Sequence, residues 1–228
     1  LAFNKENIMP VRLQKELERL KKRILALGAM VEEHVDMATR SVERKEVALA
    51  EKIIKADLKV DELEVEIEEE CLKLLALHQP VAVDLRFITA VIKINNDLER
   101  IGDEAVNIAE RVIFISTRPP VTVSFDYKTM SEKTRLMLKN SLDALVNLDG
   151  DLAQEVCLKD DEVDQINSEI YEHVKQAILE NPDKGGYLIN LFSIARYLER
   201  IADHATNIAE EVIYLIEGVI QRHRYKDV

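Results

Sequence analysis

Tryptophan is absent from this 228-residue chain, glycine and proline number only six and five, and there are two cysteines. Each shortage excludes something. No glycine-rich phosphate loop is visible among so few glycines. Cys71 and Cys157 fall in different halves among apolar residues; they make neither a zinc ribbon nor a disulfide framework and read as thiols of a reduced, intracellular chain. Basic charge is also scarce: 31 Lys and Arg against 43 Asp and Glu leave a net charge of −12, and no basic run compensates. That balance repels phosphate backbones and argues against nucleic acid as a partner. The longest uncharged run, 185–195, is too short to cross a bilayer. No signal-peptide pattern is visible at the start, which is Leu1 rather than Met.

What remains is 47% apolar and 32% charged, a helix-forming composition. One stretch occurs twice. Residues 93–115 read KINNDLERIGDEAVNIAERVIFI and residues 193–215 read SIARYLERIADHATNIAEEVIYL, identical at 13 of 23 positions without a gap. A repeat of that length means two structural units.

Apolar residues at three- and four-residue intervals (Leu13, Leu17, Leu20, Ile24, Leu27, Val31, Val35) predict a first helix over 10–44. A second stripe predicts a helix over 46–77, broken by His78-Gln79-Pro80, and a third helix follows over 81–116. The second half repeats the plan, with helices over 125–147, 152–180 and 184–222 and a break at Asn181-Pro182-Asp183. Asp149-Gly150-Asp151 supplies turn and N-cap chemistry. The expected fold is all-α: two tandem three-helix bundles of long antiparallel helices, over 1–117 and 125–228, with Pro119-Pro120 in a linker over 118–124.

On a helical wheel with Asn96 at zero, Glu99, Asp103, Asn107 and Glu110 fall at about −60°, −20°, +20° and −40°. Ile94, Leu98, Ile101, Ala105, Ile108 and Val112 gather opposite. The helix over 184–222 repeats the stripe with Glu199, Asp203, Asn207 and Glu210, while Asp57 with Asp61 and Asp160 with Asp164 add acidic pairs on the preceding helices. Like charges four residues apart repel by roughly 0.2–0.5 kcal/mol, and bound cations would remove that penalty. Hard oxygen donors suit iron, manganese, magnesium, calcium or zinc alike. On residues alone two readings stay open: a cation-binding face, or a solvated face that confers solubility. Asn107 and Asn207 could equally cap or bridge helices. None of the five histidines follows a Glu at three residues, so a ferritin-type di-iron site is excluded, and His204 reads as a surface residue at the stripe's edge. No nucleophile–His–acid spacing nominates a catalytic centre.

These motifs resemble the PhoU family of phosphate-uptake regulators. The resemblance rests on Gln79-Pro80-Val81-Ala82 through Asp84-Leu85-Arg86, on Asp97-Leu98-Glu99-Arg100-Ile101-Gly102-Asp103, and on their second-half counterparts around Asn181-Pro182-Asp183, Leu198-Glu199-Arg200-Ile201-Ala202-Asp203 and Asn207-Ile208-Ala209-Glu210. It implies a non-enzymatic cytoplasmic regulator that restrains the phosphate-starvation response. The implied partners are the ATPase subunit of a phosphate ABC transporter and a sensor histidine kinase, with a homodimer among the possible assemblies and only peripheral association with membrane complexes. It further implies multinuclear metal clusters on the acidic pairs: Asp57 and Asp61, Glu99 and Asp103, Asp160 and Asp164, Glu199 and Asp203. The alternatives are a metal-dependent hydrolase and a helical scaffold without metal. Gly102, where the other half has Ala202, departs from the repeat without touching a ligand in this reading.

Overall fold

Seven α-helices and one short 3-10 turn make up the computed structural model, which describes residues 8–119 and 125–219 (side chains from residue 12 onward). Helix α1 spans Ile8–Arg44, α2 Val47–Ala56, α3 Leu58–His78 and α4 Ala82–Ser116; α5 spans Tyr127–Asn147, α6 Gly150–Glu180 and α7 Gly185–Glu217. The linker expected over 118–124 lies outside the described residues from 120 onward.

Local chemistry sets the boundaries. Asp126 and Asp149 accept backbone N–H bonds from Thr129 and Leu152 and so cap α5 and α6. Gln79 and Leu148 end α3 and α5 in the left-handed region. Helix α7 ends at Glu217 rather than continuing to 222, because Gly218 takes φ +72° and its N–H closes on Tyr214 O; residues 220–222 lie outside the described residues.

The helix expected over 46–77 is divided at Asp57. Val60 N–H closes on Asp57 O at 2.7 Å, a three-residue turn inserted between α2 and α3. Periodicity reads straight through this point because Asp57 keeps helical angles, φ −61° and ψ −34°; only the hydrogen-bond register changes. Its counterpart α6 runs unbroken.

The apolar stripes meet where the pattern requires. Leu20, Ile24, Leu27, Ile94, Leu98, Ile101 and Ile108 are all fully buried, each worth about 1.5–3 kcal/mol in transfer from water. Buried residues of both halves form one continuous cluster, and the most extensive helix–helix contact joins α4 to α7 across the halves. That seam is antiparallel. Lys93 meets Glu211 at 2.8 Å and Arg200 meets Glu104 at 2.9 Å in a single register, with Gly102 and Ala202 at its middle. No described helix is long and apolar enough to cross a membrane, and both cysteines are free and buried.

Candidate functional site

The turn at Asp57 faces α4 at Gly102. A β-carbon placed on Gly102 would lie 3.3 Å from both Asp57 Oδ1 and Val60 Cγ1. Gly102 therefore lies directly beside the Asp57 side chain, a contact that the sequence reading of Gly102 did not anticipate. Around Asp57 the first cluster assembles. Burial, followed by the charges of Asp61, Asp103 and Glu99, pushes the Asp57 carboxyl up to about 6. Burial and Asp103 likewise raise Glu99, with Arg100 opposing. Glu64, raised by burial and by Glu68 and Asp61, flanks the group and accepts from Asn95 Nδ2 at 3.1 Å.

The second cluster has the same plan. Glu199 on α7 is raised by burial, then by Asp203 and Asp164, while Arg196 and Arg200 pull the other way. Asp160 lies with Glu210 against Cys157, whose thiol is pushed up to about 12 by burial first and by those two carboxylates next.

Asp57 and Glu199 are less open than a solvated stripe, whereas Asp61, Asp164 and Asp203 are exposed. Side-chain exposure is 15% for Asp57 and 14% for Glu199, since α3 and α6 lie along α4 and α7 and tuck these groups between helices. Asp57 Oδ1 and Glu199 Oε2 are buried with no hydrogen-bond partner, one such oxygen in each cluster. An unsatisfied buried acceptor of this kind costs about 1–3 kcal/mol, more when charged. Buried oxygen donors lacking protein partners, beside further carboxylates, fit a hard cation. Among the described residues no three His, Cys or carboxylate side chains converge closely enough to hold an ion as they stand.

The outer members of the stripes have other contacts. Asn207 Nδ2 donates to Asp97 Oδ1 across the seam at 3.2 Å, the bridging role left open above. Asn107 Nδ2 donates to Glu104 Oε2 at 3.1 Å, and Glu110 pairs with Arg111 at 3.2 Å. Glu210 lines an open cleft of about 520 Å³ with Glu64, Glu68, Lys93 and Asp97. His204 is no isolated surface group: its Nδ1 lies 2.9 Å from Asp97 Oδ1. Sequence reasoning missed His34, 4% exposed on α1, whose Nδ1 approaches Asp57 Oδ1 to 3.9 Å. The signal was a lone polar residue within the Val31–Val35 apolar stripe.

Comparison with known proteins agrees with the fold. The PhoU domain model matches residues 24–112 and again 127–212. The chain is 41% identical to the phosphate-specific transport system accessory protein PhoU homolog of Aquifex aeolicus, over 94% of this chain and 97% of that one. Its counterpart from Clostridium acetobutylicum is 37% identical, over 90% and 94%. The crystal structure of PhoU from Pseudomonas aeruginosa superposes with a TM-score of 0.88 at 35% identity, covering 90% of this chain and 99% of that one. The phosphate transport system regulatory protein PhoU from Streptococcus pneumoniae gives 0.80 at 29% identity, over 91% and 98%. These relatives are named as accessory or regulatory proteins, not as enzymes. With two domain matches and relatives aligned along nearly their whole length, the chain belongs to the PhoU family.

Proposed function

We propose that this chain is a cytoplasmic regulator of phosphate uptake that carries multinuclear metal clusters on its two carboxylate groups and presents the loaded surface to protein partners. The coarse role, an accessory of phosphate transport, follows from family membership. The finer reading is carried by one observation: each repeat holds, among neighbouring carboxylates, one whose pKa is raised and one of whose oxygens is buried without a partner, Asp57 Oδ1 in one and Glu199 Oε2 in the other. Asp57, Asp61, Glu99 and Asp103 would hold ions in the first cluster; Asp160, Asp164, Glu199 and Asp203 would hold them in the second. Asn107, Glu110, Asn207 and Glu210 are outer members with competing contacts.

The bound ions neutralise a face that is otherwise strongly negative. Such a face would then accept a partner that the bare carboxylates repel. The partners in this reading are the ATPase subunit of the phosphate ABC transporter and a phosphate-sensing histidine kinase, and residues 1–117 and 125–228 act as two units, each with one cluster. The hydrolase alternative has no support in the relatives' names.

The test is elemental analysis of purified protein reconstituted with iron, zinc, manganese or magnesium. The combined Glu99→Ser, Asp103→Ser, Glu199→Ser, Asp203→Ser variant should lose its ions and, with them, metal-dependent capture of the ATPase subunit. A full complement of ions in that variant would overturn the reading.

A further inference from the structure

His34 breaks the equivalence of the two clusters. It sits on the apolar face of α1, 4% exposed, and its Nδ1 has no hydrogen-bond partner. That nitrogen lies 3.9 Å from Asp57 Oδ1, itself buried and unpartnered. The gap is too long for a hydrogen bond. Two donors each about 2.0–2.1 Å from a shared tetrahedral ion stand roughly 3.3–3.4 Å apart, so an approach of about half an ångström would let the two groups share one. Two orphaned polar atoms, a nitrogen and a carboxylate oxygen, thus stand near one another, and the charges of Asp61, Asp103 and Glu99 act on the same Asp57.

The second repeat lacks that nitrogen. The offset that relates Asp57 to Asp160 relates α1 to α5 and pairs His34 with Met137; the flanking buried positions correspond as well, Val31 with Thr134 and Val35 with Leu138. Met137 is 1% exposed, so the same slot is filled by a thioether. Imidazole favours zinc, iron, nickel or copper, whereas carboxylate oxygens alone suit magnesium, calcium or manganese.

We propose that His34 is a nitrogen ligand of the first cluster and sets its preference for an imidazole-binding transition ion, while the second cluster, with Met137 in the equivalent slot, remains an all-oxygen site for harder cations. This rests on the reading of the carboxylate groups as cation sites, and goes beyond it in making the two sites chemically unequal.

The experiment uses the full chain carrying Asp160→Ser, Asp164→Ser, Glu199→Ser and Asp203→Ser, so that only the first cluster binds. Zinc affinity is measured by competition with a chromophoric chelator and magnesium affinity by calorimetry, with and without His34→Met. The substitution should weaken zinc at least about tenfold and leave magnesium unchanged. Cobalt(II) bound to the parent should show a visible absorption spectrum that changes in the variant. Because His34→Met alters a buried site, the reciprocal Met137→His is made in a chain whose first cluster carries the serines, and it should raise zinc affinity at the second. Unchanged zinc affinity in His34→Met, or zinc and magnesium weakening together, overturns the assignment while leaving the clusters as cation sites. A parent that binds neither ion overturns both.

Discussion

Arg200 on α7 reaches across the seam to Glu104 on α4 at 2.9 Å, and the Glu104 side chain is only 2% exposed. Glu104 also accepts from Asn107 Nδ2 at 3.1 Å. The Arg200 side chain is 44% exposed, so the two ends of the pair are not equivalent. Removing Arg200 strands a buried carboxylate; removing Glu104 frees an arginine that can turn to water. Arg200→Ala should therefore cost about 1–3 kcal/mol, and Glu104→Gln, which keeps hydrogen bonding at the seam, should cost less. Urea unfolding of the two variants checks the order.

The raised carboxyl of Asp57 gives a pH dependence of definite sign. Its folded value of about 6 exceeds the ordinary 3.8, so between these limits the folded chain binds more protons than the unfolded one. The contribution of this group to the stability of metal-stripped protein should then fall as pH rises from about 4 to 6, by on the order of 2 kcal/mol, while Glu16, Asp126 and Glu162, which are lowered, act in the opposite direction. Glu64, Glu99 and Glu199 are raised too and add in the same direction as Asp57. Asp57→Asn should stabilise the stripped protein at pH 7.5 and flatten the slope without abolishing it, as read from denaturant midpoints at pH 5 and 7.5.

Ions should reverse that penalty. At a free concentration one hundred times the dissociation constant, a single bound ion adds about 2.7 kcal/mol. Differential scanning calorimetry should show a rise in Tm on loading that is lost in the Glu99, Asp103, Glu199, Asp203 serine variant.

Gly102 sets two effects against one another. Alanine there gains helix propensity, about 1 kcal/mol, but its β-carbon would stand 3.3 Å from Asp57 Oδ1 and Val60 Cγ1. Gly102→Ala should leave stability within about 1 kcal/mol of the parent and weaken ion binding at the first cluster by displacing Asp57. Chemical denaturation and metal titration on one preparation separate the two effects.

Phosphate should not bind the stripped chain. Carboxylate rows repel an anion that would otherwise seek arginine forks or helix N-termini. Isothermal titration of metal-free protein with phosphate should show no heat of binding; micromolar affinity would contradict the expectation.

The helical segments, the proline-marked breaks and the four acidic pairs were legible in sequence because they depend on local periodicity and on proline chemistry. The contents of Asp57's surroundings were not. Its turn keeps helical dihedral angles and leaves no mark in the pattern, and His34 approaches it from another helix. The seam was equally invisible. Glu104, Asp97, His204 and Arg200 occupy wheel positions that any solvated residue could take, and only the packing of α4 on α7 turns them into partners. The partial burial of Glu199 has the same origin, since a wheel drawn for one helix cannot show the neighbour that covers it.

The antiparallel register of that seam also decides which half can pair with which. Lys93 finds Glu211 opposite it, and the first-repeat counterpart of Glu211 is Arg111. Two first halves docked in the same register would bring Lys93 against Arg111, cation facing cation. The change from arginine to glutamate at this point of the duplicated segments thus turns the first half away from its own kind and toward its sibling.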